Sequence, residues 1–375
     1  MEKIVVVGVG FIGGYLQAGY RALVGDELRG RVFGVKGRAA GLAEKRAALP
    51  FDVSAGDTAA VLARENPTVI VLSPPPSAVP GIVREVLKPD FDRRRAAGLP
   101  LPEIYTFAPT PGVSFFREAL GADVHAAKVL PNIIDRVGGV DLSPIGMNYV
   151  SIDPADRWPE ARLRALETVL APYGESVVLT DRDSLVLLAG KITSHVCYEV
   201  CFTLADALER RGTPVPLAAL GSALRAAHRE FCQPPLPDLH PCTLDGLPAG
   251  LPTFMRALAR AWFDGLSDFS AAAGLTIPPE QARRVDHRSF ELNIFPLQVE
   301  SREWLVQNTQ NAATKGGVLE RGIEYYGEHI EARLARAVCA QLDGQPEEEF
   351  FDWLRGQSEA LSRAAFERSL ALAER

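Results

Sequence analysis

Ile4-Val5-Val6-Val7-Gly8-Val9-Gly10-Phe11-Ile12-Gly13-Gly14 is the stretch that decides how the rest of this 375-residue chain is read. Ile4 to Val9 is a continuous, β-branched apolar run, the pattern of a strand buried on both faces of a parallel sheet. It runs directly into a G-x-G-x-x-G, and residues 15–24 then follow a helical pattern. In that order each glycine has a physical task. Gly8 makes the tight turn, Gly10 lets backbone approach a pyrophosphate, and Gly13 lets helix and strand pack closely. The unpaired N–H groups that open the following helix face the anion. The expectation is a dinucleotide site with Gly8, Gly10, Phe11, Ile12 and Gly13 in contact with the cofactor. The plainer reading is a structural glycine turn.

Working outward, residues 31–35 form the second strand. A fold that binds NAD usually closes this strand with an acid that accepts from the ribose 2′-OH. Here the next residues are Lys36-Gly37-Arg38. Two cations and no acid favour a 2′-phosphate, hence NADP(H) over NAD(H); the alternative is that both are ordinary solvated loop charges. Further strands fall at 68–72, 104–107 and 124–130, with helical patterns at 58–64 and 82–87 between them. Such alternation means βαβ units and a doubly wound parallel sheet of the Rossmann type, with ligands beyond the carboxyl ends of the strands. The loops holding Ser73 and Pro74, residues 108–112, and Pro131-Asn132 all fall there. A helix at 159–173 and a last strand at 176–179 close this part.

From Asp183 onward the texture is helical. Residues 185–211 read as one long helix, 233–252 as a loop rich in Pro and Gly, and 254–273, 296–313, 317–342 and 347–374 as further helices. The division expected is a nucleotide-binding α/β domain over 1–180 and a helical domain over 181–375. Lys+Arg is 40 and Asp+Glu 47, a net charge of −7 with a pI near 5.5. That balance argues against nucleic acid as a partner, because phosphate binding needs a clustered positive footprint. Five cysteines fit a reduced compartment better than a disulfide framework. Charges interrupt the apolar runs, so no membrane span is expected. The N-terminus carries no signal-peptide pattern, so the expected location is cytoplasmic.

Four segments, in order, resemble the pyrroline-5-carboxylate reductase family. They are the N-terminal GVGFIGG, Lys128-Val129-Leu130-Pro131-Asn132-Ile133, the helix SHVCYEVCFTLADA from Ser194, and Ala313-Thr314-Lys315-Gly316-Gly317-Val318-Leu319-Glu320. The resemblance spans roughly residues 1–212 and 300–330. It implies a Rossmann domain followed by an all-helical dimerisation domain, a homodimer or higher homo-oligomer, and NAD(P)H-dependent reduction of the C=N bond of a small carboxylate-bearing substrate. Three departures mark a divergent member. The small-residue segment before the helix becomes Ile192-Thr193-Ser194-His195-Val196-Cys197. The threonine after Gly-Gly becomes Leu319. An insertion of about 70 residues occupies roughly 230–299.

The resemblance places Asn132 near the nicotinamide and substrate, and Ser194 against the substrate. Thr314, Lys315, Gly316 and Gly317 would form an anion nest for its carboxylate; their plainer reading is a helix N-cap. Ser194 reads equally well as a helix-start cap. Lys191 and His195 lie one helical turn apart on one face, and either suits a proton donor. Otherwise Lys191 is solvated and His195 packs in an interface. Lys191 also carries a rival reading, because the β-hydroxyacid dehydrogenases present a lysine on a similar long helix as general acid/base. In this chain the asparagine three residues on is missing. A non-catalytic NADP(H)-binding protein is the third possibility. His228, Cys232, His240 and Cys242 are a candidate zinc set of weak pattern, with His228 and Cys232 read as i, i+4 on a helix. Cys197 and Cys201 read as core thiols.

Overall fold

The computed structural model describes residues 2–313 and 315–373. It divides into two compact units, one running to Ile133 and resuming over Met147–Ser184, the other comprising Ile134–Gly146 and the chain from Leu185 on. The boundary expected at 180/181 therefore falls slightly later, inside the helix Asp181–His195, and residues 134–146 belong with the helical unit.

The first unit is built on β1 (Ile4–Val7), β2 (Val32–Lys36), β3 (Asp52–Ala55), β4 (Val69–Leu72), β5 (Glu103–Thr106) and β6 (Ala126–Leu130). The helical unit contributes the hairpin β7 (Arg136–Val137) and β8 (Val140–Asp141), and the sheet resumes with β9 (Met147–Ile152) and β10 (Glu175–Leu179). The sheet order is β3-β2-β1-β4-β5-β6-β9-β10. Its first six strands have the Rossmann order, reversing direction at β1 and β4. All of them pair in parallel. The expectation of a parallel sheet needs one correction: β9 pairs with β6 antiparallel, and β10 with β9 in parallel. The link from β6 to β9 holds only a hairpin and a short 3₁₀ turn, and lacks the crossover helix that a parallel return needs.

The uninterrupted apolar run of β1 is explained by two cores. Ile4 and Val6 face Val32, Val69, Val71, Tyr105 and Val129 on one side. Val5 and Val7 face Val35, Ile70, Leu72 and Ile104 on the other. Each such buried side chain contributes about 1.5–3 kcal/mol relative to exposure.

The second unit is helical except for β7–β8. Its core takes residues from Cys197–Arg210, Leu217–Arg229, Leu251–Ala272, Pro279–Ile294, Val318–His329, Glu331–Leu342 and Phe350–Ala373. The 230–299 segment is thus no appendage, since Phe254, Leu258, Trp262, Phe290 and Ile294 lie in that core. The pattern over 317–342 breaks into two helices at Ile330, and that over 296–313 breaks at Glu300-Ser301, where Ser301 caps the next helix through the Trp304 N–H. The stretch Asp181–Arg210 is long and apolar enough to cross a membrane by length and composition, but 78% of its most apolar window is buried inside the protein. That is how a core helix reads.

Candidate functional site

The glycine turn follows β1 at the point where the strand order reverses. Gly8 has φ +96°, and a Cβ there would lie 2.6 Å from Pro74 N and 2.7 Å from Ser73 C. A Cβ on Gly13 would lie 2.6 Å from both Gly8 O and Ser73 Oγ. Gly10 differs: a Cβ there would meet nothing within 4 Å. Two glycines are required by the protein's own packing, and the third leaves an open approach to the backbone, which is the fit a pyrophosphate needs. Phe11, 63% exposed, stacks on Tyr15 beside that opening, with Ile12 partly buried behind it. Ser73 donates its hydroxyl to Gly8 O at 2.6 Å, and its N–H to Val7 O at 2.9 Å. Ser73 and Pro74, expected as cofactor contacts, therefore brace the turn from the loop after β4.

Lys36 ends β2 and donates to Ala40 O at 2.7 Å, and Arg38 is exposed in the same loop. No acid stands at this strand end. Asn132, expected beside the nicotinamide, is fully buried. Its N–H donates to Asn148 Oδ1 and its side-chain amide to Tyr173 O, both at 3.0 Å. It ties the loop after β6 to the segment before β10, and no part of it faces an opening. Sequence reasoning missed an ion pair between a buried lysine and a partly exposed aspartate near the carboxyl ends of β5 and β6. Lys128 Nζ lies 2.6 Å from Asp181 Oδ1, while Asp181 Oδ2 accepts the Val113 N–H at 2.8 Å. Burial pushes the Lys128 ammonium down, and Asp181 opposes that shift.

In the helical unit, Lys191, Ser194 and His195 lie in the last part of the helix Asp181–His195. Ser194 is fully buried and donates to Gly190 O at 2.9 Å, so it is neither a helix-start cap nor open to a ligand. His195 Nε2 lies 2.9 Å from Thr309 Oγ1, and its ring packs 4.4 Å from that of Tyr198. Burial pushes its imidazole down to about 4; a bond to the Asn293 side chain opposes this, and nearby Lys191 adds to it. Lys191 keeps a partly exposed side chain, and desolvation pushes its ammonium down to about 8. Of the two, Lys191 is the group whose shift leaves it nearer neutral pH. Asn293 and Thr309 join this cluster from helices about 100 residues further along the chain, and nothing local in the sequence marked them.

The proposed anion nest needs correction. Thr314 lies outside the described residues, and Lys315 is exposed. Gly316 N–H donates to the Glu320 carboxylate, and Gly316 O accepts from Arg368. Gly317 is the N-cap of Val318–His329. The carboxylate held at this turn is the chain's own, as in a capping box. The candidate zinc set also dissolves in part. The helix carrying His228 ends at Arg229, so Cys232 lies beyond it. His240 packs its ring 6.0 Å from Phe295, and Cys242 is partly exposed. His228 and Cys232 instead meet His287.

No family model matches the chain, and no curated protein does. Solved structures similar to it include the pyrroline carboxylate reductase of Plasmodium falciparum with NADP bound, at 12% identity and a TM-score of 0.37, covering 96% of this chain and 98% of that one. A pyrroline-5-carboxylate reductase from Coxiella burnetii stands at 13% identity and 0.41, covering 92% and 99%. A D-mandelate dehydrogenase with NADH and anilino(oxo)acetate stands at 10% identity and 0.41, covering 97% and 99%.

Proposed function

We propose that the protein is an NAD(P)(H)-dependent oxidoreductase. The observation that carries this is the glycine turn, where Gly8 and Gly13 are demanded by internal packing and Gly10 is left open at the switch point of the sheet. In this reading the turn holds the pyrophosphate. Lys36 and Arg38 take a 2′-phosphate, which supports NADP(H). When bound, the nicotinamide supplies or accepts a hydride. Lys191 gives the proton that accompanies reduction, burial pushing its ammonium down to about 8. The substrate class proposed is a small carboxylate-bearing imine, on the resemblance alone, as is a homo-oligomeric assembly. The position of Lys191 supports a second reading equally, a hydroxy-acid dehydrogenase in which the same lysine exchanges a proton with an alcohol–carbonyl pair.

Gly10→Asp tests the reading. The side chain has room, so the protein folds, but its carboxylate opposes the pyrophosphate. NADPH binding, followed by the cofactor's fluorescence, is abolished while the circular dichroism spectrum is unchanged. Unchanged affinity in the folded variant would sink the assignment. Gly13→Ala loses stability instead, since its Cβ collides with Gly8 O. NADPH consumption with pyrroline-5-carboxylate, set against NADP⁺ reduction with hydroxy acids, separates the two substrate classes.

A further inference from the structure

Three ligand-forming side chains meet in the core of the helical unit, from parts of the chain nearly 60 residues apart. His228, Cys232 and His287 are all buried, and one ligand atom from each lies within 4.8 Å of the others. The facing nitrogens, His228 Nε2 and His287 Nδ1, are 2.9 Å apart. His228 Nδ1 lies 3.4 Å from Glu291 Oε2. Glu291 in turn accepts from Arg225 at 2.9 Å and Arg229 at 2.7 Å.

This arrangement sets the protons. The carboxylate takes the His228 Nδ1–H, which leaves the lone pair of Nε2 pointing at His287. The single proton between the rings then sits on His287 Nδ1, and His287 Nε2 is a buried nitrogen with no hydrogen-bond partner among the described residues. A carboxylate behind a histidine whose other nitrogen is presented to a cation, with a thiol alongside, is the way proteins orient metal ligands. Aromatic rings close the site: Phe263 stacks on His287 at 4.1 Å, and Phe290 and Phe231 flank His228 at 4.8 and 5.4 Å.

We propose that His228, Cys232 and His287 bind one d¹⁰ metal ion, zinc(II) or copper(I), with Glu291 positioning His228. Two imidazoles and a thiolate are the donor set such ions take. Metal–nitrogen bonds of about 2.0–2.1 Å require the two nitrogens to part by only a few tenths of an ångström. On binding, the Cys232 thiol proton leaves to solvent and the His287 proton moves from Nδ1 to Nε2, so both rings stay neutral and one proton is released. Charge ranks the ions. Arg225 and Arg229 already outnumber the Glu291 carboxylate, copper(I) with the thiolate adds no net charge, and zinc(II) adds one positive.

The test uses the full-length protein stripped with a chelator. It is titrated with cobalt(II), the spectroscopic stand-in for zinc, and, without oxygen, with copper(I) against a chromophoric chelator. The expected result is one equivalent bound of at least one of the two, with a near-ultraviolet thiolate-to-metal band for cobalt. Cys232→Ser and His287→Asn abolish it, Glu291→Gln weakens it roughly 10–100-fold, and His240→Asn and Cys242→Ser leave it intact. Binding of neither ion by the wild type overturns the proposal. So does binding that survives Cys232→Ser, or binding lost with Cys242→Ser. Circular dichroism on each variant confirms folding, and if His287→Asn unfolds, the small change at Cys232 decides.

Discussion

At the scale of the residue, Asp286 shows how burial alone resets chemistry. Its side chain is 2% exposed, Ser270 Oγ lies 3.3 Å from Oδ1, and Oδ2 has no hydrogen-bond partner among the described residues. Desolvation pushes its carboxyl up to about 8. The unfolded chain ionises this group near pH ~3.9, whereas the folded protein keeps the proton until about 8. The folded state thus binds more protons across that window. The stability contributed by Asp286 is full below the lower value and is lost as pH rises through the upper one. Urea unfolding at pH 5 and pH 8 reads this directly. Asp286→Asn is expected to flatten the decline and to stabilise the protein at pH 8 by roughly 1–3 kcal/mol. An unchanged slope would show that another group is responsible. Lys191 is the opposite case, a cation pushed down to about 8 by the same desolvation.

At the scale of the element, the helix after the glycine turn is two pieces, Phe11–Tyr15 and Gln17–Val24, and the cause is a side chain. The Gly19 N–H, which would bond Tyr15 O in an unbroken helix, instead donates to Tyr173 Oη at 3.3 Å. The same hydroxyl donates to Tyr15 O at 3.2 Å. An inserted side chain is a recognised cause of helix distortion. Gly19 is required here for another reason, since a Cβ would lie 2.1 Å from Val169 O. Tyr173→Phe leaves the pair without its bridge inside packed structure. The expected loss is about 1–3 kcal/mol in thermal or urea unfolding. A variant as stable as the wild type would mean that the helix closes on itself and the direct bond is restored.

At the scale of the whole molecule, the helical unit depends on backbone closeness between helices distant in sequence. Leu251–Ala272 and Phe350–Ala373 approach so nearly that a Cβ on Gly265 would lie 2.1 Å from Arg355 O and 2.8 Å from Ser358 Cβ. Ser358 donates to Trp262 O at 2.7 Å across the same contact. Both partners of the clash are helix backbone or its first side-chain atom, so neither can swing aside. Gly265→Ala is expected to force the helices apart and cost about 1–3 kcal/mol or more, read as a lower melting temperature. Full retention of stability would show that the helices slide without loss.

How much of this was legible beforehand depends on whether the signal was local. The β1 run and the glycine turn were readable because burial on both faces and a tight turn each impose residue types over a few consecutive positions. The i, i+4 relation of Lys191 and His195 was readable for the same reason. The edge strand β3 and the antiparallel β9 were not, since Asp52-Val53-Ser54-Ala55 and Met147-Asn148-Tyr149-Val150-Ser151-Ile152 carry no uniform apolar run and owe their pairing to neighbours. The helix Pro279–Ile294 also emerged only in the structure, its pattern being diluted by buried polar residues such as Asp286, His287 and Glu291. Glu291 is tolerable inside because Arg225, Arg229 and His228 bond its carboxylate across the core. By itself, the sequence determined the glycine turn after β1 and the change from α/β to helical texture, which rest on contacts between near neighbours. Only the tertiary structure decided the sheet's reversed edge, the occupation of the Gly316 donor by Glu320, and the meeting of His287 with His228 and Cys232. Each of those brings together groups whose separation along the chain leaves no periodic trace.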